Sequence, residues 1–140
     1  MTPDVLVLDA SVVLDGAAPG PRFDALSALH ERFACRAPAL LAWEIGHVVH
    51  GRRAALFAAT PQKRAALVEA MLEGIELVPT DAAARAATAR LAARHGLTFY
   101  DASYLELAAR GPEGTLATHD AALRRAAQRE LAGRALGLDD

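Results

Sequence analysis

Asp9, Glu44, Asp101 and Asp120 are the residues of this 140-residue chain whose types and settings best suit chemistry. The three aspartates follow short apolar runs that read as buried strands: Val5 to Leu8, Leu97 to Tyr100, and Gly114 to Thr118. Glu44 stands among Leu40, Leu41, Ile45 and Val48 at helical spacing, so its carboxylate is predicted to face inward, where an ionised group requires a partner. No Lys or Arg occupies a neighbouring inward position, and the chain's one lysine, Lys63, belongs to another element. A cation from solvent is the natural complement. Four carboxylates about 6 Å apart, at an effective dielectric of about 20, repel by roughly 16 kcal/mol in sum. That exceeds a domain's usual stability of about 5–15 kcal/mol unless protons or a divalent ion relieve it. Oxygen ligands favour Mg²⁺, or Mn²⁺, over zinc. Taken singly, Asp101 or Asp120 reads more simply as a helix cap, and Asp9 as the start of a turn. Their joint placement at one rim is what argues for a shared site.

Strands alternating with helices would deliver these side chains to one edge. After Val5 to Leu8, the stretch Gly16-Ala-Ala-Pro-Gly20-Pro21 reads as a loop, and Phe23, Leu26, Leu29, His30 and Phe33 repeat at helical spacing. Arg36 to Ala39 suggests a brief strand, and Leu40 to Val49 a helix running on toward Arg53. Thr60-Pro61 supplies a capping hydroxyl and a first-turn proline for a helix with Leu67, Val68, Met71 and Leu72 inside and Gly74 at its end. Ile75 to Val78 reads as a strand. Pro79-Thr80 then opens an Ala/Arg helix that His95-Gly96 closes. Further helices carry Tyr104, Leu105 and Ala108, then Leu123 and Ala127. The alternation predicts a single three-layer α/β domain with a mostly parallel sheet. In such sheets ligands bind beyond the carboxyl ends of the strands, which is where the aspartates are expected.

Composition narrows the function classes. Apolar types make up 53% of the chain, but 34 of the residues are alanine, so helix former outweighs bulky core. The single Cys35 allows no internal disulfide, which suits a reducing cytoplasmic setting. Arg22 is the first cation and no apolar run reaches about 18 residues, so neither a secretion signal nor a membrane span is expected. A net charge of −2 and a pI near 6.2 argue against a simple basic glove for nucleic acid. The 17 acidic residues, less the four candidate ligands, nevertheless leave 13 against 15 basic ones, a balance of +2. Acidity gathered in one place is compatible with a polyanionic substrate.

The motifs Val5-Leu-Val-Leu-Asp9-Ala-Ser11-Val-Val, Pro38-Ala-Leu-Leu-Ala-Trp-Glu44-Ile-Gly-His47-Val-Val, Leu97-Thr-Phe-Tyr-Asp101-Ala-Ser-Tyr104-Leu-Glu-Leu-Ala and Leu116-Ala-Thr118-His-Asp120-Ala-Ala-Leu123 resemble, in this order, those of PIN-domain ribonucleases. The closest likeness is to the VapC toxins of type II toxin–antitoxin systems, over Val5 to about Ala127. The resemblance implies an α/β/α sandwich around a parallel sheet of about five strands. It also implies an acidic metal site of Asp9, Glu44, Asp101 and Asp120, with Ser11 and Thr118 as supporting hydroxyls. The implied activity is Mg²⁺-dependent endonucleolytic cleavage of RNA, held in check by a VapB-like antitoxin, in a protein that forms homodimers. One departure is visible. The family commonly has asparagine three residues after the glutamate, where this chain has His47, and the chain contains no asparagine.

Other readings compete. A catalytically weak PIN-like module that binds RNA or an antitoxin is the main alternative, with His47 marking an altered site. A Mg²⁺-dependent phosphatase is a third, although Ser11 stands where the haloacid dehalogenase motif needs its second aspartate. Glu44-x-x-His47 has di-iron spacing but lacks the second copy such a site needs, and His47-x-x-His50 reads more simply as polar and solvated. His119 reads as a surface histidine. No phosphate-binding glycine–lysine loop or dinucleotide glycine fingerprint is present, and no lysine follows the last strand as a receiver domain requires. Arg52-Arg53, Lys63-Arg64 and Arg124-Arg125 with Arg129 could track phosphates or simply face solvent. Trp43, Val49, Leu56 and Phe57 could leave an apolar face for a partner or pack inside.

Overall fold

Val5–Leu8 forms β1, the central strand of the sheet in the computed structural model, which describes residues 3–140. Leu6, Val7 and Leu8 are all fully buried. Successive strand side chains point to opposite faces, so both faces of the sheet are covered, as the unbroken apolar run requires. The other strands are β2 (Ala34–Pro38), β3 (Glu76–Val78), β4 (Thr115–Ala117) and β5 (Ala135–Leu136). They lie in the order β3-β2-β1-β4-β5, and every pairing is parallel. The chain winds outward from β1 in one direction through β2 and β3, then returns to the other side of β1 for β4 and β5. Strand order therefore reverses between β1 and β4, the position at which open parallel sheets form a crevice.

Eight helices complete the α/β/α sandwich among the described residues: α1 (Ala10–Asp15), α2 (Pro21–Arg32), α3 (Leu41–Val49), α4 (Ala54–Phe57), α5 (Pro61–Leu72), α6 (Ala82–His95), α7 (Phe99–Ala109) and α8 (Ala121–Glu130). Local signals fix many of their ends. The Thr60 hydroxyl accepts from the Lys63 amide at 3.2 Å ahead of Pro61, and Gly96 takes the left-handed conformation, φ 63°, that closes α6. Asp81, rather than Thr80, caps the start of α6 by accepting from the Ala84 amide.

Two expectations need correction, and two elements were unforeseen. Leu97 to Tyr100 is not a strand: the Thr98 hydroxyl accepts from the Asp101 amide at 3.1 Å and starts α7 at Phe99. The Gly96 turn folds α7 back on α6, and a capping threonine outweighs the strand-like look of an aromatic, β-branched run. The helix expected to continue toward Arg53 ends at Val49, after which the chain breaks at His50-Gly51 before the single turn of α4. Asp9 begins a helix, α1, that apolar periodicity did not reveal because it has only six residues. β5 has only two residues, too few for any pattern to show.

The core centres on β1, β4 and α7. Ala102 through Ala108 are all buried in the middle of α7, with Tyr104 the largest fully buried side chain among the described residues. Glu106, buried on that helix, is held by a two-pronged contact with Arg110 at 2.9 Å. Burial pushes the Cys35 thiol up to about 11, which leaves it protonated and unreactive. No described helix is long and apolar enough to cross a membrane.

α7 and β4 meet at Gly114, where a Cβ would lie 1.9 Å from the Ala108 carbonyl oxygen. A Gly114→Ala protein is therefore expected to lose about 3 kcal/mol of stability or to fail to accumulate as soluble protein. Gly111→Ala, where nothing lies within 4 Å, should be close to neutral. Denaturant midpoints of the two variants check the difference; equal midpoints would contradict the close contact.

Candidate metal centre

Asp9 directly follows β1, and Thr118 directly follows β4. The register that sets Leu8 beside Ala117 carries the two residues past the sheet edge side by side. There the Thr118 hydroxyl donates to Asp9 Oδ2 at 2.6 Å, and the Ser11 hydroxyl donates to the same oxygen at 2.9 Å. Asp9 Oδ1 accepts from the Ala10 amide at 2.7 Å. Asp9 is only 5% exposed, and burial lifts its pKa above the ordinary carboxylate value, opposed by these three donors. Both expected supporting hydroxyls thus hold the first candidate ligand. They also tie it to the fourth: Thr118 Oγ1 accepts from the Asp120 amide at 3.0 Å, and Ser11 Oγ accepts from the His119 amide at 3.0 Å.

Glu44 is half-buried on α3 and finds a partner that sequence reasoning missed. The Tyr104 hydroxyl donates to Glu44 Oε1 at 2.6 Å, joining α3 to α7. A tyrosine on a helix face otherwise made of Leu and Ala was the available signal, since a buried phenol seeks an acceptor. Burial raises the pKa of Glu44, opposed by this bond and reinforced by the charges of Asp9 and Asp101. Burial and the Glu44 contact likewise push the Tyr104 phenol upward, so it remains a hydrogen-bond donor at any working pH. His47 lies exposed on α3 and makes no side-chain hydrogen bond to Glu44. The polar contact to Glu44 comes from Tyr104 instead.

Asp101 does not stand at a strand end. It occupies the first turn of α7 and does not cap the helix; Thr98 does. Its half-buried carboxyl is raised by burial, and further by the charges of Asp9 and Asp120. Asp120 is exposed and caps α8, Oδ1 accepting from the Leu123 amide at 2.8 Å. His119 is not simply a surface residue. Nε2 accepts from the Leu138 amide at 3.0 Å, which places the ring proton on Nδ1, donated to Asp15.

The four carboxylates thus come from four segments and act electrostatically on one another across the end of β1 and β4. None forms an ion pair with a basic side chain, whereas Asp15, Glu76, Glu106, Glu130, Asp139 and Asp140 all do. An all-oxygen set that lacks internal cations suits a hard divalent ion. No three His, Cys, Asp or Glu among the described residues lie close enough to form a ready ligand set. The site is also distinct from the cleft of about 410 Å³ lined by Phe23, Leu26, His30, Leu67 and Met71, which contains none of the four.

The PIN domain family model matches residues 6–129. The chain belongs to the PIN-domain family. The sequence has no match among curated proteins. Among solved structures, this PIN domain is similar to PAE2754 from Pyrobaculum aerophilum, with a TM-score of 0.70 and 24% identity over 98% of this chain and 85% of that one. It is similar to FitAcB from Neisseria gonorrhoeae, with a TM-score of 0.66 and 20% identity over 95% of this chain and 97% of the other. It is also similar to VapBC2 from Rickettsia felis, solved bound to a DNA fragment from their promoter, with a TM-score of 0.63 and 11% identity over 95% and 98%. At these identities the likeness concerns the PIN fold.

Three carboxyls with raised pKa values give the site a pH signature. The folded protein holds these protons more tightly than the unfolded chain, so the stability the groups contribute is fully present below their ordinary values of 3.8 and 4.5. It is lost as pH rises through their folded values. Asp101→Asn, which keeps the shape and removes one charge from a half-buried carboxyl, should therefore raise the metal-free melting temperature at pH 7. It should also shrink the upward shift that added Mg²⁺ produces. Melting scans with and without EDTA read both effects, and a lower metal-free melting temperature would assign Asp101 a structural role.

Proposed function

We propose that this PIN domain is a Mg²⁺-dependent endoribonuclease toxin of the VapC type. What supports this reading is that the carboxylates of Asp9, Glu44, Asp101 and Asp120 act on one another electrostatically beside the strand-order reversal, with no basic ion-pair partner among the described residues, in a chain of this family. A divalent ion bound there, Mg²⁺ or Mn²⁺, supplies a water of lowered pKa and neutralises charge on the phosphate oxygens. Asp9, Glu44 and Asp101 hold it, directly or through water. Ser11 and Thr118 fix the rotamer of the Asp9 carboxylate, and Tyr104 fixes that of Glu44. Asp120, on the exposed rim with one oxygen committed to capping α8, orients water or a second ion. No side-chain nucleophile is needed for hydrolysis of a phosphodiester.

A VapB-like antitoxin is the proposed protein partner, and a homodimer the proposed assembly, in a cytoplasmic setting. The apolar surface on α3 and α4 supports an interface: Trp43 is 82% exposed and Leu56 is 79% exposed, with Val48 beside them. Val49, by contrast, is buried and Phe57 half-buried, so these two belong to the core side of that segment.

Purified wild-type protein with Mg²⁺ is expected to cleave a mixed RNA pool. Asp101→Asn and Glu44→Gln should each lower the rate by about 100-fold or more while retaining wild-type far-UV circular dichroism. Cleavage that survives both substitutions would sink the assignment of these residues. RNA binding without cleavage by the wild type would favour the non-catalytic module.

A further inference from the structure

Residues 130–140 lie beyond the stretch that matches the family, yet they are tied to the rim of the acidic site by several bonds. The Arg22 guanidinium grips Asp139 with two prongs, Nε to Oδ1 at 3.1 Å and Nη2 to Oδ2 at 2.7 Å. Its remaining nitrogen, Nη1, reaches Asp15 Oδ2 at 3.2 Å. Arg124 Nη2 donates to Asp140 Oδ2 at 2.5 Å, and the Gly137 amide donates to the same oxygen at 2.9 Å. Gly137 packs so closely on Arg124 and His119 that a Cβ there would meet their side chains at 3.1 and 3.2 Å.

Both arginines are bonded to the frame of the site, not to its carboxylates. Arg124 lies in the first turn of α8, which Asp120 caps, and its amide donates to the Asp120 carbonyl at 2.9 Å. Arg22 shares Asp15 Oδ2 with His119, and the His119 amide is bonded to Ser11, which itself holds Asp9. The two-pronged carboxylate contact uses the fork geometry by which arginine also takes phosphate. Both ion pairs are exposed, with side-chain exposures of 46% and 66% for Arg22 and Asp139, and pairs of this kind are weak enough for a polyanion to displace.

We propose that Arg22 and Arg124 form a phosphate-binding subsite for the RNA backbone flanking the cleaved bond. Asp139 and Asp140 hold this subsite closed in the absence of RNA, their carboxylates standing where backbone phosphates bind. The inference rests on the ribonuclease reading for its substrate class. It adds a binding element outside the four carboxylates, and a reason for the acidic pair at 139 and 140. No described hydrogen bond joins either residue to Asp9, Glu44, Asp101 or Asp120.

The test uses a fluorescent single-stranded RNA oligonucleotide in EDTA, so that binding is read without turnover, alongside kcat and KM with Mg²⁺. The double variant Asp139→Asn with Asp140→Asn should bind the oligonucleotide about 3- to 10-fold more tightly at low salt. Its plot of log affinity against log salt should steepen by about 0.7 per freed arginine, and KM should fall while kcat holds. Adding Arg22→Gln and Arg124→Gln should reverse the gain. Each single Asn variant, of which Asp140→Asn keeps an oxygen for the Gly137 amide, should give part of the effect if the double variant folds poorly. Unchanged affinity, salt slope and KM in variants that cost only melting temperature would overturn the subsite while leaving the nuclease reading in place. A wild-type protein that neither binds nor cleaves RNA would overturn that reading and the subsite with it.

Discussion

The domain turns on one buried carboxylate. Asp9 must sit at the junction of β1 and β4, nearly out of contact with water, and an ionised group there costs several kcal/mol unless its oxygens are satisfied. Satisfaction comes from the Ala10 amide, Ser11 and Thr118, of which the last belongs to the neighbouring strand's end. The parallel register makes that last bond possible, and a slip by one residue would turn Thr118 away from Asp9. Strand order, register and the choice of hydroxyl residues are therefore linked through a single side chain.

The same economy extends around the site. Asp9, Glu44 and Asp120 are each held by neutral donors, hydroxyls or backbone amides. Arginine is used on the periphery, where Arg36, Arg94 and Arg110 pair with Glu76, Glu130 and Glu106. Neutral donors orient a carboxylate without cancelling its charge. The negative potential is thus preserved at the end of β1 and β4 and neutralised where arginine pairs with glutamate.

Much of this was legible in the residues. The apolar run before Asp9, the threonine and proline ahead of α5, and the glycine after α6 are local signals whose physics does not depend on distant contacts. Tyr104 illustrates the opposite case. Its spacing marks a core position, but its acceptor lies 60 residues away on another helix, and no local pattern connects them. Asp101 was expected at a strand end and stands instead in the first turn of α7, because Thr-Phe-Tyr fits a strand and a capped helix equally well until the capping bond is seen. The binding of Asp139 and Asp140 by Arg22 and Arg124 was illegible altogether: ion pairs across 117 and 16 residues leave no periodic trace.

α7 is buried from Ala102 to Ala108, with only its first turn and its last residue, Ala109, reaching the surface. Amides along such a buried stretch are expected to exchange with solvent only in the larger openings of a domain. Tyr104 stands within it, Asp101 just ahead of it, and Glu44 is tethered to it through the phenol. That one hydrogen bond therefore ties a carboxylate on α3 to a helix whose middle seven residues are all buried.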